Sequence, residues 1–145
     1  MKILAVDYGD TRTGLAECDP TELLATPITP QIVEKSMNKV AQQIVDMAQA
    51  KGCGLIVIGL PRNMDGTEGS RAAKSRRLGS RINDRCDLPV VFWDERRTTV
   101  TAAAILSEND TFGLKRKEKL DSVSAAVILE SYLDWRRLHP GEDTL

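Results

Sequence analysis

Three acidic positions stand out in this sequence, because each borders an apolar run that a fold would bury. Asp7 ends Ile3-Leu-Ala-Val6 and leads into Tyr8-Gly9-Asp10. Asp94-Glu95 closes Val90-Val-Phe-Trp93, and Asp121 precedes Val123-Ser-Ala-Ala-Val-Ile-Leu129, which is small and apolar almost all round. Carboxylates at the carboxyl ends of buried strands sit where α/β folds place their ligands. Each also has an ordinary structural role open to it. Asp7 could accept turn N–H groups, one of Asp94 and Glu95 could cap a following helix, and Asp121 could complement the dipole at the start of the last helix. If the three converge, they form the minimal oxygen ligand set for Mg²⁺, with positions left for water and phosphate oxygens. Two such ions can activate a water and stabilise the leaving oxygen in phosphodiester cleavage. Without a cation, converging carboxylates would repel and raise one another's pKa.

Other chemistries are poorly supplied. The single histidine, His139, stands beside Pro140 in a polar tail, so histidine acid–base chemistry has no site. Cys18, Cys53 and Cys86 are widely spaced and suggest neither a disulfide framework nor a zinc site. The stretch from Gly59 to Gly66 lacks P-loop spacing and its Gly-Lys-Ser/Thr ending, and no G-x-S-x-G occurs. Aromatic residues are only 4% of the chain, which makes base stacking on aromatic platforms an unobvious mode.

A basic stripe is the second chemical feature. Arg71, Lys74, Arg77, Arg81 and Arg85 recur at spacings of three and four, on one face of a predicted helix. Such a face suits a phosphate backbone, although a charge run of this kind is also an ordinary solvated surface. Residues 62–119 hold 13 Lys/Arg against 9 Asp/Glu, so the net charge of −1 hides a basic middle. Lys115-Arg-Lys-Glu-Lys119 forms a second basic cluster before Asp121.

The elements that would position these groups follow from periodicity and turn residues. Strands are expected over 3–7, about 13–19 and 23–29, with Asp19-Pro20 marking a turn. Val33, Met37, Val40, Ile44 and Met47 have helical spacing and predict a helix over 33–50, ended by Gly52 and Gly54. Leu55-Ile-Val-Ile58 reads as a strand buried on both faces. A loop over 59–66, a helix over about 69–84 and a strand over 89–93 come next. A helix over about 97–107, a polar loop to about 117 and a helix over about 120–137 complete the pattern. Strands after crossover helices should run parallel, and the first three should meander antiparallel. The expectation is an α/β domain with a mixed sheet flanked by helices.

The 145 residues suit one domain, placed at 1–138 with a polar tail over 139–145. No stretch reads as a signal peptide or a membrane span, so a cytoplasmic protein without membrane partners is expected.

Four motifs in order carry a family resemblance. They are Asp7-x-Gly9-x-x-Arg12-x-Gly14, Gly59-Leu-Pro61 with Asn63-Met-Asp-Gly66, Asp94-Glu-Arg96 with Thr98-Thr99, and Asp121-x-x-Ser-Ala-Ala126 with Ile128-Leu129. Together they resemble the YqgF family, also called RuvX, relatives of the Holliday-junction resolvase RuvC. The resemblance spans residues 1 to about 135. It implies an RNase H-like fold with a five-stranded mixed sheet in the order 3-2-1-4-5. It also implies a metal-dependent nuclease that processes the 5′ end of pre-16S rRNA in ribosome biogenesis. Resolution of branched DNA and a non-catalytic role as an RNA-binding assembly factor are the alternatives. Carried over by position, Asp7, Glu95 and Asp121 are the catalytic and metal-binding carboxylates, holding two Mg²⁺ or Mn²⁺ ions. Nucleic-acid contacts are expected from Arg12 and Arg96 within the motifs, from Arg71, Lys74, Arg77 and Arg81 on the helix, and from Lys115 and Lys117. The partner expected is nucleic acid, pre-rRNA or branched DNA, with the chain a monomer or weak homodimer. Thr13, at a place often held by a larger aliphatic, and Glu17 in the second strand depart from the family pattern. An actin-like ATPase also carries Asp-x-Gly after its first strand, but needs two such domains to clamp a nucleotide.

Overall fold

The computed structural model describes residues 1–97 and 114–144, with side chains for 1–96 and 123–144. Strand β1 (Ile3–Asp7) is central, and β2 (Arg12–Cys18) and β3 (Ala25–Val33) fold back beside it. Helix α1 (Met37–Lys51) then crosses to β4 (Leu55–Leu60), and α2 (Ser70–Asn83) crosses to β5 (Val90–Asp94). A 3-10 turn follows over Glu95–Arg97, and α3 runs from Leu114 to Leu138. The sheet order is β3-β2-β1-β4-β5. β1 pairs antiparallel with β2 and parallel with β4, and β4 pairs parallel with β5. This is the mixed five-stranded α/β sheet expected.

Alternation along the strands creates two cores. Ile3, Ala5, Leu55, Val57, Val91 and Trp93 face α3, whereas Leu4, Val6, Ile56 and Ile58 face α1 and α2. A strand buried on both faces needs no polar alternation, which is why Leu55–Leu60 reads as an unbroken apolar run. α3 lies close on the sheet because small Ala125 and Ala126 stand among its buried residues. Trp93 locks the contact, with its ring 5.3 Å from that of Tyr132 and its indole N–H donating to Ser131 at 3.1 Å.

Several boundaries differ from expectation for local reasons. α1 starts at Met37, because Ser36 caps it by accepting from the Lys39 N–H, and the Glu34 side chain accepts from Lys35 and Ser36. Val33 therefore ends β3 instead of opening the helix, and it is exposed. β3 runs on past the expected 29, through a register shift opposite Thr13 and Leu15. α3 begins at Leu114, so residues 114–117 are helical where a polar loop was expected. Its apolar stripe over 123–129 signals only the packed part; the polar first turns carry no such signal. The helix expected over 97–107 falls, from 98 onward, outside the described residues; residues 95–97 form a 3-10 turn.

Residues 139–144 do not trail away. His139 stacks on Trp135 at 4.4 Å, Arg136 pairs with Asp143 at 3.0 Å, and the Tyr132 hydroxyl donates to the Asp143 carbonyl.

Candidate active site

Strands β1, β4 and β5 are parallel, so their carboxyl ends share one edge of the sheet. That edge carries Asp7 on β1, Gly59 and Leu60 on β4, and Asp94 followed by Glu95 on β5. Asp7 continues the alternation of Ile3 and Ala5 toward the α3 side, and Glu95, the first residue of the 3-10 turn, reaches the space over Gly59 beside Ile128 of α3. The two carboxyl groups are within hydrogen-bonding reach of each other.

Gly59 makes that approach possible. A Cβ on Gly59 would stand 2.6 Å from Glu95 Oε1 and 2.5 Å from Ile128 Cδ1. Only glycine lets the carboxylate and the α3 side chain lie directly over β4. Burial pushes the Glu95 carboxyl above the ordinary range. The positive charge of Arg71 and the contact with Asp7 act in the opposite direction, and the Asp94 charge adds to the rise.

Asp94 is differently employed. It accepts from the Arg96 backbone N–H at 3.0 Å and from the Arg96 guanidinium at 2.7 Å, which holds its carboxyl below the ordinary range. Adjacent acids thus point to opposite sides: one pairs with Asp7, and the other closes the turn that aims it. Asp121 belongs to α3, one turn before the buried Ala125. It does not begin that helix, which extends two further turns toward Leu114. Among the described residues no cluster of three or more His, Cys, Asp or Glu converges.

The basic stripe is divided. Lys74 donates to Asp10 in the β1–β2 turn at 2.9 Å. Arg81 donates to the Asn38 side chain of α1 at 2.7 Å, and Arg85 to the Arg81 carbonyl at 2.8 Å. Arg85 also donates to Asn38 at 3.4 Å, so both arginines tie α2 to α1. Arg71 and Arg77 are exposed and have no hydrogen-bond or ion-pair partner among the described residues, and Arg71 stands close enough to Glu95 to act on its charge. Arg12 begins β2 at the Asp7 end of the sheet, whereas Arg96 is occupied by Asp94 and by the Met64 carbonyl. Lys115 and Lys117 lie in the first turns of α3.

Sequence reading passed over Arg76, Arg62 and the role of Gly59. Arg76 is off the stripe, bound to Glu68 at 2.6 Å and lying 5.1 Å over the Phe92 ring. Arg62 pairs with Glu68 at 3.7 Å and lines a cleft of about 330 Å³ with Pro61, Asn63, Gly69, Ser70 and Arg71. A signal for Gly59 existed, since a glycine inside an apolar strand marks a close approach.

Residues 1–135 match the RuvX family, described as Holliday junction resolvase. A proposed pre-16S rRNA nuclease of Desulforamulus reducens is 38% identical over 137 residues, covering 92% of this chain and 97% of its own. Another, from Mesorhizobium japonicum, is 40% identical over 132 residues, covering 91% and 79%. Among solved structures, the fold is similar to Thermus thermophilus RuvC in complex with a Holliday junction substrate. The TM-score is 0.64 at 12% identity, covering 97% of both chains.

Proposed function

The chain belongs to the RuvX family, and on that premise we propose that it is a metal-dependent nuclease acting on the 5′ end of pre-16S rRNA. The observation that carries this reading is the contact of Asp7 and Glu95 at the carboxyl edge of three parallel strands, one of them partly buried against α3. Two carboxyl groups in contact are stable with a shared proton or a shared cation. Their all-oxygen character, with no histidine or cysteine beside them, fits a hard divalent cation. Asp7 and Glu95 would hold Mg²⁺ or Mn²⁺, with Asp121 of α3 as the third carboxylate.

When bound, the metal supplies positive charge to the phosphate oxygens and to the attacking water. The chain's own contribution is placement. The Asp94–Arg96 turn aims Glu95, and Ile128 shares the space over Gly59 with its carboxyl. Arg71 opposes the build-up of negative charge, and with Arg77 it offers cationic contact to the phosphates on either side. A cytoplasmic location agrees with such a substrate.

The test is cleavage of labelled pre-16S rRNA 5′ fragments and of four-way DNA junctions side by side, with Mg²⁺, Mn²⁺ or chelator. RNA cleavage that needs metal and disappears in Asp7→Asn is expected. Full activity of Asp7→Asn free of wild-type protein would end the mechanism. Preference for the junction would favour the second reading, branched-DNA resolution, for which the family description speaks. Metal-independent RNA binding without cleavage would leave an assembly factor.

A further inference from the structure

We propose that the cleft between the β4–α2 loop and the first turn of α2 is a phosphate subsite, with Arg62 and Arg71 as its cationic walls. It holds a phosphate of the nucleic-acid strand near the one that is cleaved, and so rests on the nuclease reading. The cleft measures about 330 Å³ and is lined by Pro61, Arg62, Asn63, Gly69, Ser70 and Arg71, of which two are cations and none is acidic. Glu68 stands 3.7 Å from Arg62, too far for a hydrogen bond. Its two oxygens are taken by Arg76, which donates to them at 2.6 and 2.8 Å.

Arg62 is thereby left short of acceptors. Its Nε is closed off from solvent and has no hydrogen-bond partner, although its side chain is 33% exposed. A guanidinium carries its N–H donors in a planar fork, and a buried donor without an acceptor is costly. A phosphate in the cleft offers that fork two oxygens at once. Arg71 is exposed and has no hydrogen-bond or ion-pair partner among the described residues. The N-cap Gly69 supplies no side-chain cap, so the first N–H groups of α2 add donors at the same cleft.

The place suits a phosphate close to the scissile one. Gly59 lies beneath Glu95, and the chain runs from it through Leu60 into Pro61 and Arg62. The positive charge of Arg71 also reaches Glu95. The cleft therefore adjoins the acidic pair without sharing its carboxylates. Arg76 and Arg96 are spent on Glu68 and Asp94, which leaves Arg62 and Arg71 as the guanidinium groups open to an anion there.

The experiment compares the full wild-type chain with Arg62→Gln, in Mg²⁺, on a pre-16S rRNA 5′ fragment whose cut position has been mapped, or on the DNA junction if that is what the chain cuts. In a series of copies, one phosphodiester at a time becomes an uncharged methylphosphonate, the cleaved one being left intact. A further pair of copies ends in a 5′ phosphate or a 5′ hydroxyl. In wild type, one replacement near the cut should raise KM about three- to tenfold and change kcat little. Arg62→Gln should raise KM by a similar factor on the unmodified substrate. The same replacement should then cost the variant little more, because two changes at one contact are not additive. Arg62→Lys should recover part of the loss, since it keeps the charge without the fork, and melting should hardly move in either variant. Should the pattern fall on the 5′ hydroxyl copy instead, the cleft takes a terminal phosphate of the strand. Additive losses at every position, the 5′ end included, would overturn the inference, as would an unchanged KM in folded Arg62→Gln. A wild-type chain that cuts neither RNA nor branched DNA would bring down the nuclease reading first, and this inference with it.

Discussion

Glu95 rests over Gly59, close enough that a single added methyl would collide with its Oε1 at 2.6 Å. Position 59 lies inside an apolar strand, where alanine would ordinarily be preferred to glycine. The requirement for glycine therefore belongs to the carboxylate above it, and to Ile128 on the other side of the same space.

Gly59→Ala should accordingly damage activity more than stability. Both colliding atoms are side-chain ends that can swing away, so the loss of stability should be about 1–3 kcal/mol. The displaced Glu95 should lower kcat at least tenfold, since small misplacements of catalytic groups are costly. Thermal melts and steady-state cleavage measure the two separately. Undiminished kcat in folded Gly59→Ala would mean that Glu95 does not work from its position over β4.

Glu95→Gln should cost far more activity than Asp94→Asn, because Glu95 meets Asp7 while Asp94 is bound to Arg96. Mg²⁺ should also raise the melting temperature of the wild-type chain, as a ligand of the folded state alone does, and should fail to do so in Glu95→Gln. Asp94→Asn should keep the Mg²⁺ response while losing about 1 kcal/mol of stability with its charge-assisted hydrogen bonds. The reverse ranking in cleavage and in Mg²⁺ response would move the ligand assignment to Asp94.

Arg71→Gln with Arg77→Gln should weaken RNA binding and lower the logarithmic salt slope by about 0.7–0.9 for each phosphate no longer neutralised. Melting should hardly change, since both side chains are exposed and neither has an ion-pair partner among the described residues. Arg81→Gln should behave oppositely: its guanidinium holds Asn38 on α1, so stability should fall and the slope should persist. Titrations at several salt concentrations, paired with melts, separate the two kinds of arginine.

Glu22 and Arg136 tie the β2–β3 turn to the end of α3 at 2.7 Å, and the hydrogen bond from Arg136 holds the Glu22 carboxyl below its ordinary range. A depressed carboxylate stabilises the fold above its unfolded pKa, and that contribution is lost as pH falls through the folded value. Glu22→Gln should thus melt lower than wild type at neutral pH, by about 1 kcal/mol of stability. The two melting curves should converge in acid, below the ordinary carboxylate range. A gap that stays constant down to that range would assign the effect to packing.

Much of this architecture was legible in residue order. Unbroken apolar runs such as Leu55–Leu60 require burial on both faces, and strands joined through helices must run parallel, so their carboxyl ends and acids had to share an edge. The motifs carried the family and the sheet order. Alternation could not by itself divide the labour between Asp94 and Glu95, because β5 ends at Asp94 and a 3-10 turn carries Glu95. Tertiary structure alone decided the rest, because it depends on groups distant in sequence arriving at one place. Arg71 and Arg81 look equivalent on a helical wheel, yet one faces Glu95 and the other a side chain 43 residues earlier. Gly59 looks like a loop opener until Glu95 and Ile128 are seen above it. Arg62 reads as one more basic residue, and only the packed loop reveals that its Nε is buried without a partner. Local pattern sets which elements form and which face is apolar; close approach, charge pairing and exposure are properties of the packed whole.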